Sequence, residues 1–215
     1  MDSGKDHRYH GPMGIQDRKE KQKTKLRRDI MDAAVALAQR DGWREVSIRK
    51  VVEKIEYAPS VVYQHFDNKD ELLRALREEG FGLLTEELAR LKADSPRALL
   101  CNLAVCFWEF AQANRAYYAV MMELDGVAFA DKKASPGSVR LMEFVAATIG
   151  SWAASEGLDP SKLTMEWFEF VLFLHGLVAA STVSFIQDAE ERIRYLLDLG
   201  IKDFITAWSL RLVVR

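Results

Sequence analysis

The stretch SVVYQHFDNKDEL, residues Ser60 to Leu72, decides how this chain is read. On a helix turning about 100° per residue, Val62 and Phe66 fall about 40° apart and form one narrow apolar edge. Ser60 and Gln64 fall on the opposite side. Tyr63 lies on one flank, and Val61 and His65 lie on the other. Pro59 suits the first position of this helix, where its missing N–H costs nothing. Asp67 or Asn68 then caps a new helix with acids in its first turn. A helix barely two turns long therefore holds to a body by two side chains and turns a polar face outward.

The residues before it supply that body. A first helix is expected from about Thr24 to Arg40, with Leu26, Ile30, Ala33, Ala34 and Leu37 in one stripe. Gly42 is placed to end it with a left-handed residue. Ser47 reads as the cap of a second helix whose inner residues are Ile48, Val51, Val52 and Ile55. Three short helices with a tight break between the second and third form a helix-turn-helix. In that arrangement Gln64 can pair with adenine, and the Val61 methyls can meet a thymine methyl. Tyr63 and His65 can donate to phosphates at the groove edges. Lys69 brings a charge and the free N–H groups of the following helix, and Ser47 can act likewise on the other side.

The segments IMDAAVALAQRDGWREVSIRKVVEKI and APSVVYQHFDNKDEL, spanning Ile30 to Leu72, resemble the DNA-binding domain of the tetracycline-repressor (TetR) family of bacterial transcription regulators. The family's tyrosine, histidine, phenylalanine and lysine fall on Tyr63, His65, Phe66 and Lys69, and its cap residue falls on Ser47. The resemblance implies phosphate contacts from Tyr63, His65, Lys69 and Ser47. It implies base contacts around Ala58, Pro59, Ser60, Val61 and Gln64. With Arg49 these residues form the expected DNA-binding set. Two positions depart from the family. Glu56 stands where glycine is usual in the turn, and a left-handed glutamate costs about 1 kcal/mol or more. Val52 stands where a smaller residue is usual.

Composition agrees with a globular, all-α protein. Of 215 residues, 49% are hydrophobic and 29% charged, glycine and proline number only 12 and 5, and strand-like runs are nearly absent. The net charge of −2 conceals an asymmetry: residues 1–69 hold 15 basic against 11 acidic side chains, and residues 70–215 hold 15 against 21. A basic N-terminal part on an acidic remainder suits a nucleic-acid module. The run RKEKQKTKLRR, residues 18–28, carries seven basic residues and one acid. Residues 1–23 are expected to be a flexible basic arm, with Met13-Gly14 a second start. Residues 24–70 are expected to form the DNA-binding domain, and 71–215 a helical ligand-binding and dimerisation domain.

About nine helices are expected in all. The fourth runs to about Leu91. The others run from Ser95-Pro96 to Ala113, Arg115 to Leu124, Pro136 to Glu156, Asp159-Pro160 to Val183 and Asp188 to Leu212, with a loop at 125–135. Cys101 and Cys106 are five apart on one helix, cannot easily bridge, and read as small apolar side chains. No signal-peptide core opens the chain. The apolar stretch Phe170 to Gln187 contains His175, Gly176, Ser181, Thr182 and Ser184, and reads as a helix buried in protein rather than in a bilayer. A cytoplasmic, nucleoid-associated protein without membrane contact is expected.

The middle helices concentrate aromatic and methionine side chains. Phe107, Trp108, Phe110, Tyr118, Met121, Met122, Phe144, Trp152, Trp167, Phe170 and His175 are the candidate lining of a pocket for a hydrophobic or aromatic molecule. Each taken alone reads equally as core, and His175 as a satisfied buried histidine. The resemblance implies a cavity in these helices and a four-helix dimer interface from the last two. The apolar circumference of Phe170 to Ile186 also asks for burial on two sides. The expected partners are an operator in double-stranded DNA, a second copy of the chain and a small effector; no cofactor and no metal are expected. P-loop, GxSxG, HExxH and paired CxxC motifs are missing, and His7 and His10 are the one ligand-like histidine spacing, so an enzyme is not expected. The reading is a ligand-responsive repressor. Its alternative is a DNA-binding dimer whose second domain only dimerises or meets protein partners.

Overall fold

A computed structural model of the chain describes residues 15–130, 133–162, 165–181 and 188–214. The described residues form nine α-helices and no strand. They are α1 (Ile15–Asp41), α2 (Ile48–Ile55), α3 (Pro59–Tyr63), α4 (Lys69–Ala89), α5 (Pro96–Ala113), α6 (Arg115–Met121), α7 (Pro136–Ser155), α8 (Glu166–Ser181) and α9 (Ala189–Val214). Short 3-10 turns stand at Trp43–Glu45 and Pro160–Lys162. None of the described helices is long and apolar enough to cross a membrane.

Side-chain caps set the boundaries. Ser47 Oγ accepts the Lys50 N–H at 3.3 Å ahead of α2, and Asn68 Oδ1 accepts the Glu71 N–H at 2.9 Å ahead of α4. Glu71 returns the favour by accepting the Asp67 N–H at 2.6 Å. Ser95 and Ser135 cap α5 and α7 in the same way, each with proline in the first turn behind it. Gly42, at φ 81°, turns the chain out of α1, and a Cβ there would lie 2.7 Å from Asp125 Oδ2.

Two expected helix starts differ, and the expected end of the sixth helix at Leu124 falls back to Met121. The helix α1 begins at Ile15, nine residues before Thr24, so residues 15–23 are helix and not arm. Nothing in the lysine- and glutamine-rich run 16–25 breaks a helix, and those residues rank among the good helix formers. The helix α8 begins at Glu166, because Pro160–Lys162 closes a separate 3-10 turn held by Asp159. Residues 1–14, which include His7, His10 and Met13-Gly14, lie outside the described residues, as do 182–187, the first two of which belong to the expected eighth helix.

One core runs through the molecule. Ile30, Ala34, Leu37, Val51, Val62 and Phe66 fill the N-terminal bundle. The helix α4 carries Leu72, Leu73 and Leu76 at one end and Phe81, Leu84 and Leu88 at the other, and α6 and α7 pack against it. The chain therefore passes from the small bundle into the larger one without leaving a helix. Cys101 and Cys106 are free and half-buried.

Candidate functional site

The third helix sorts its side chains as the angular reading requires. Val62 and Phe66 are fully buried, while Ala58, Pro59, Ser60 and Gln64 are exposed and Tyr63 is 52% exposed. The regular helix ends at Tyr63, but Gln64, His65 and Phe66 continue the turn through N–H bonds to the carbonyls of Val61 and Val62. Val61 and His65 are half-buried on the far flank. Tyr57, 50% exposed, adjoins this face and was not among the expected contacts. Its signal is a large aromatic in a polar turn just ahead of the prolyl start of α3.

The basic helix α1 clamps this unit. Arg27 donates from Nη1 to the His65 carbonyl at 2.8 Å, and its guanidinium lies 4.1 Å from the Phe66 ring centroid. Burial lowers the His65 pKa from its ordinary value, and Lys23 and Arg27 lower it further. Arg49 is exposed on α2, and Ser47 is half-buried at its cap. Between α2 and α3 the turn is kept with Glu56 left-handed, at φ 58° and ψ 35°.

Lys69 is half-buried, and its Nζ donates to the Trp43 carbonyl at 2.8 Å. Burial lowers its ammonium pKa, opposed by Asp70, Asp125 and Glu45. Trp43 was not anticipated, yet all three of its polar groups reach other parts of the fold. Its N–H donates to Asp125 Oδ2 at 2.5 Å, and its buried indole N–H donates to the Ala116 carbonyl at 2.8 Å. The connector between α1 and α2 is thus fixed both to α6 and to the turn that follows it. That turn is left-handed at Glu123, Asp125 and Gly126. Farther along, Arg28 of α1 bonds Asp32, Glu79 of α4 and, at 3.3 Å, the Tyr117 hydroxyl of α6.

A cleft of about 630 Å³ lies among α5, α6 and α8. Tyr118 and Ala119 line it from α6 and Met122 from the residue just past it, Leu172, His175 and Val178 line it from α8, and Gln112 and Arg115 stand at its polar side. Leu124, next to Asp125, also lines it. The Tyr118 hydroxyl and His175 Nδ1 are 2.5 Å apart. Burial raises the tyrosine pKa and lowers that of the imidazole.

Of the eleven side chains expected to line a pocket, Tyr118, Met122 and His175 line this cleft. Trp108 lines an adjoining polar cleft with Arg115 and Arg194. Phe107 and Phe170 border a small void behind His175. Phe110, Met121 and Trp152 are buried core, with Trp152 against Trp208 at 5.9 Å between centroids, and Phe144 packs against that core. The Trp167 side chain lies outside the described residues. Aromatic content cannot separate core from lining, since both are apolar. The small and polar lining residues Ala111, Gln112, Arg115 and Ala119 give no such compositional signal.

Residues 30–76 match the profile of the bacterial regulatory proteins of the tetR family. An uncharacterised helix-turn-helix transcriptional regulator of Haemophilus influenzae is 24% identical over 196 residues, covering 79% of this chain and 95% of that protein. The nicotine-responsive transcriptional repressor HdnoR of Paenarthrobacter nicotinovorans is 29% identical over 84 residues, covering 38% of this chain and 43% of the repressor. Among solved structures, a TetR variant of Acinetobacter baumannii AYE in complex with minocycline superposes with a TM-score of 0.61 at 19% identity. That match spans 85% of this chain and 96% of the other.

Proposed function

We propose that this chain, a transcriptional regulator of the tetR family, is a dimeric repressor that leaves a palindromic operator when a small apolar or aromatic effector enters the cleft among α5, α6 and α8. The observation that carries the DNA part is the sorting on α3. Val62 and Phe66 are fully buried while Ser60, Tyr63 and Gln64 stand out together. Gln64 and Val61 read bases, and Ala58, Pro59 and Ser60 approach them. Tyr63, His65, Lys69, Ser47 and Arg49 fix the register on phosphates.

The effector part rests on the cleft and its neighbours in sequence. Leu124 lines the cleft while Asp125, one residue on, accepts the Trp43 N–H. A molecule that shifts α6 or Leu124 therefore pulls on the α1–α2 connector and, through Trp43 and Lys69, on the start of α4. Effector and DNA binding then oppose each other. The relatives named for nicotine and solved with minocycline support a small-molecule effector. The dimer is supported by apolar side chains left exposed on the last two helices: Phe168 and Leu172 on α8, and Tyr195, Leu196, Leu199 and Leu210 on α9.

Selection of bound duplexes from a random library by the purified full chain tests this reading. The expected product is a palindrome whose half-sites lie about one helical turn, or a little more, apart. Enrichment of no common sequence overturns it.

A further inference from the structure

We infer that the cleft among α5, α6 and α8 takes an amphipathic anion, a carboxylate on an aromatic or aliphatic body, rather than a neutral or cationic molecule. The inference rests on the effector-binding reading above and concerns the same cleft.

The charge balance of the lining carries it. Among the described residues that line the cleft there is one cation, Arg115, and no carboxylate. Among the described residues, Arg115 makes one side-chain bond, from Nη2 to Gln112 Oε1 at 3.0 Å, and its other N–H groups can meet a ligand. Gln112 is itself engaged at its other end, where Nε2 donates to Ser181 Oγ at 2.5 Å. The acids of the adjoining cleft, Glu109 and Glu190, are met by Arg194 at 3.0 and 3.9 Å. Residues 182–187, TVSFIQ, contain no acid.

The Tyr118–His175 pair adds a donor whichever way its protons sit. Burial favours the neutral imidazole, and with the ring neutral the phenol and the imidazole hold two protons between them. One proton lies between the Tyr118 oxygen and His175 Nδ1. The other is left on His175 Nε2 or on the Tyr118 oxygen, free to donate. The cleft thus offers a guanidinium and one further donor, set against the apolar walls of Ala111, Met122, Leu172 and Val178. A cationic ligand would meet Arg115 with no acid to offset it. A carboxylate satisfies Arg115 and the spare donor, and its body fills the apolar remainder.

Calorimetry on the full-length protein with two matched series decides the matter. The series are 2-naphthylacetate, 2-naphthylacetamide and 2-naphthylethylamine, and octanoate, octanamide and octylamine. In at least one series the acid should bind about tenfold tighter than its amide, with the amine weakest. Arg115→Gln should remove the preference for the acid while the amide binds as before. Arg115 is exposed at the surface end of the lining, so this variant leaves the core intact. If neither series shows the acid tighter than its amide and amine, or if the preferred acid is indifferent to Arg115→Gln, the anion assignment falls and an effector cleft is left standing. No binding in either series overturns both readings.

Discussion

At Glu56 the backbone is left-handed, φ 58° and ψ 35°, in the turn that sets α3 against α2. A side chain with a Cβ pays about 1 kcal/mol there, which glycine avoids. Glu56→Gly should therefore raise the melting temperature by about 2–4 °C while changing operator affinity less than about threefold. A fall in melting temperature would show that the glutamate side chain supplies more than the turn costs. His175 makes a pH-dependent contribution of known sign. Its pKa is lowered from 6.5 in the folded chain, so the unfolded chain binds more protons between the two values. Its contribution is whole above about pH 6.5 and is lost as pH falls through the lowered native value. Thermal melts from pH 7.5 to 5 should show less acid destabilisation in His175→Gln than in the native chain. Glu56 could be read from its place in a turn that favours glycine. Trp43 could not, because its importance lies in three bonds to residues 26, 73 and 82 positions away.

Among the helices, α6 and the turn behind it join the two halves of the molecule. Arg115, Tyr118, Ala119 and Met122 recur at helical spacing and face the cleft, while the carbonyl of Ala116 and the carboxylate of Asp125 hold Trp43. Asp125→Gly keeps the left-handed conformation at φ 52° and removes the carboxylate alone. Fluorescence anisotropy with labelled operator should give near-native affinity for this variant without effector. The loss of affinity caused by a saturating acid from the series above should shrink by about fivefold or more. An unchanged response would place the coupling elsewhere, along Arg28, Glu79 and Tyr117. Helix positions were mostly legible because capping residues announce them, as Ser95-Pro96 does for α5 and Asn68 for α4. The start of α1 was missed because a mostly basic run reads as readily as a solvated arm as it does as helix. The lining of the cleft was missed because it depends on which side of three packed helices faces inward.

For the molecule as a whole, a helix of five residues such as α3 would be too small to select an operator alone. Pairing of two copies through the exposed apolar faces of α8 and α9 would double the reading surface and link both halves to one effector response. The resemblance over about 45 residues was legible, and residues 30–76 match the tetR-family profile, because a short helix held by two side chains fixes its spacing. The lining of the larger bundle follows no such template, since apolar packing alone fixes most of its positions. The most direct test of the DNA-reading assignment is the salt dependence of binding to the selected operator and to unrelated duplexes, for the native chain, Lys69→Ala and Gln64→Ala. Lys69→Ala should weaken binding to all duplexes about equally and lower the slope of log affinity against log salt by about one per copy. Gln64→Ala should keep the native slope and lose discrimination at one position of each half-site. Operator binding unchanged in both variants would contradict the assignment of α3 as the reading helix.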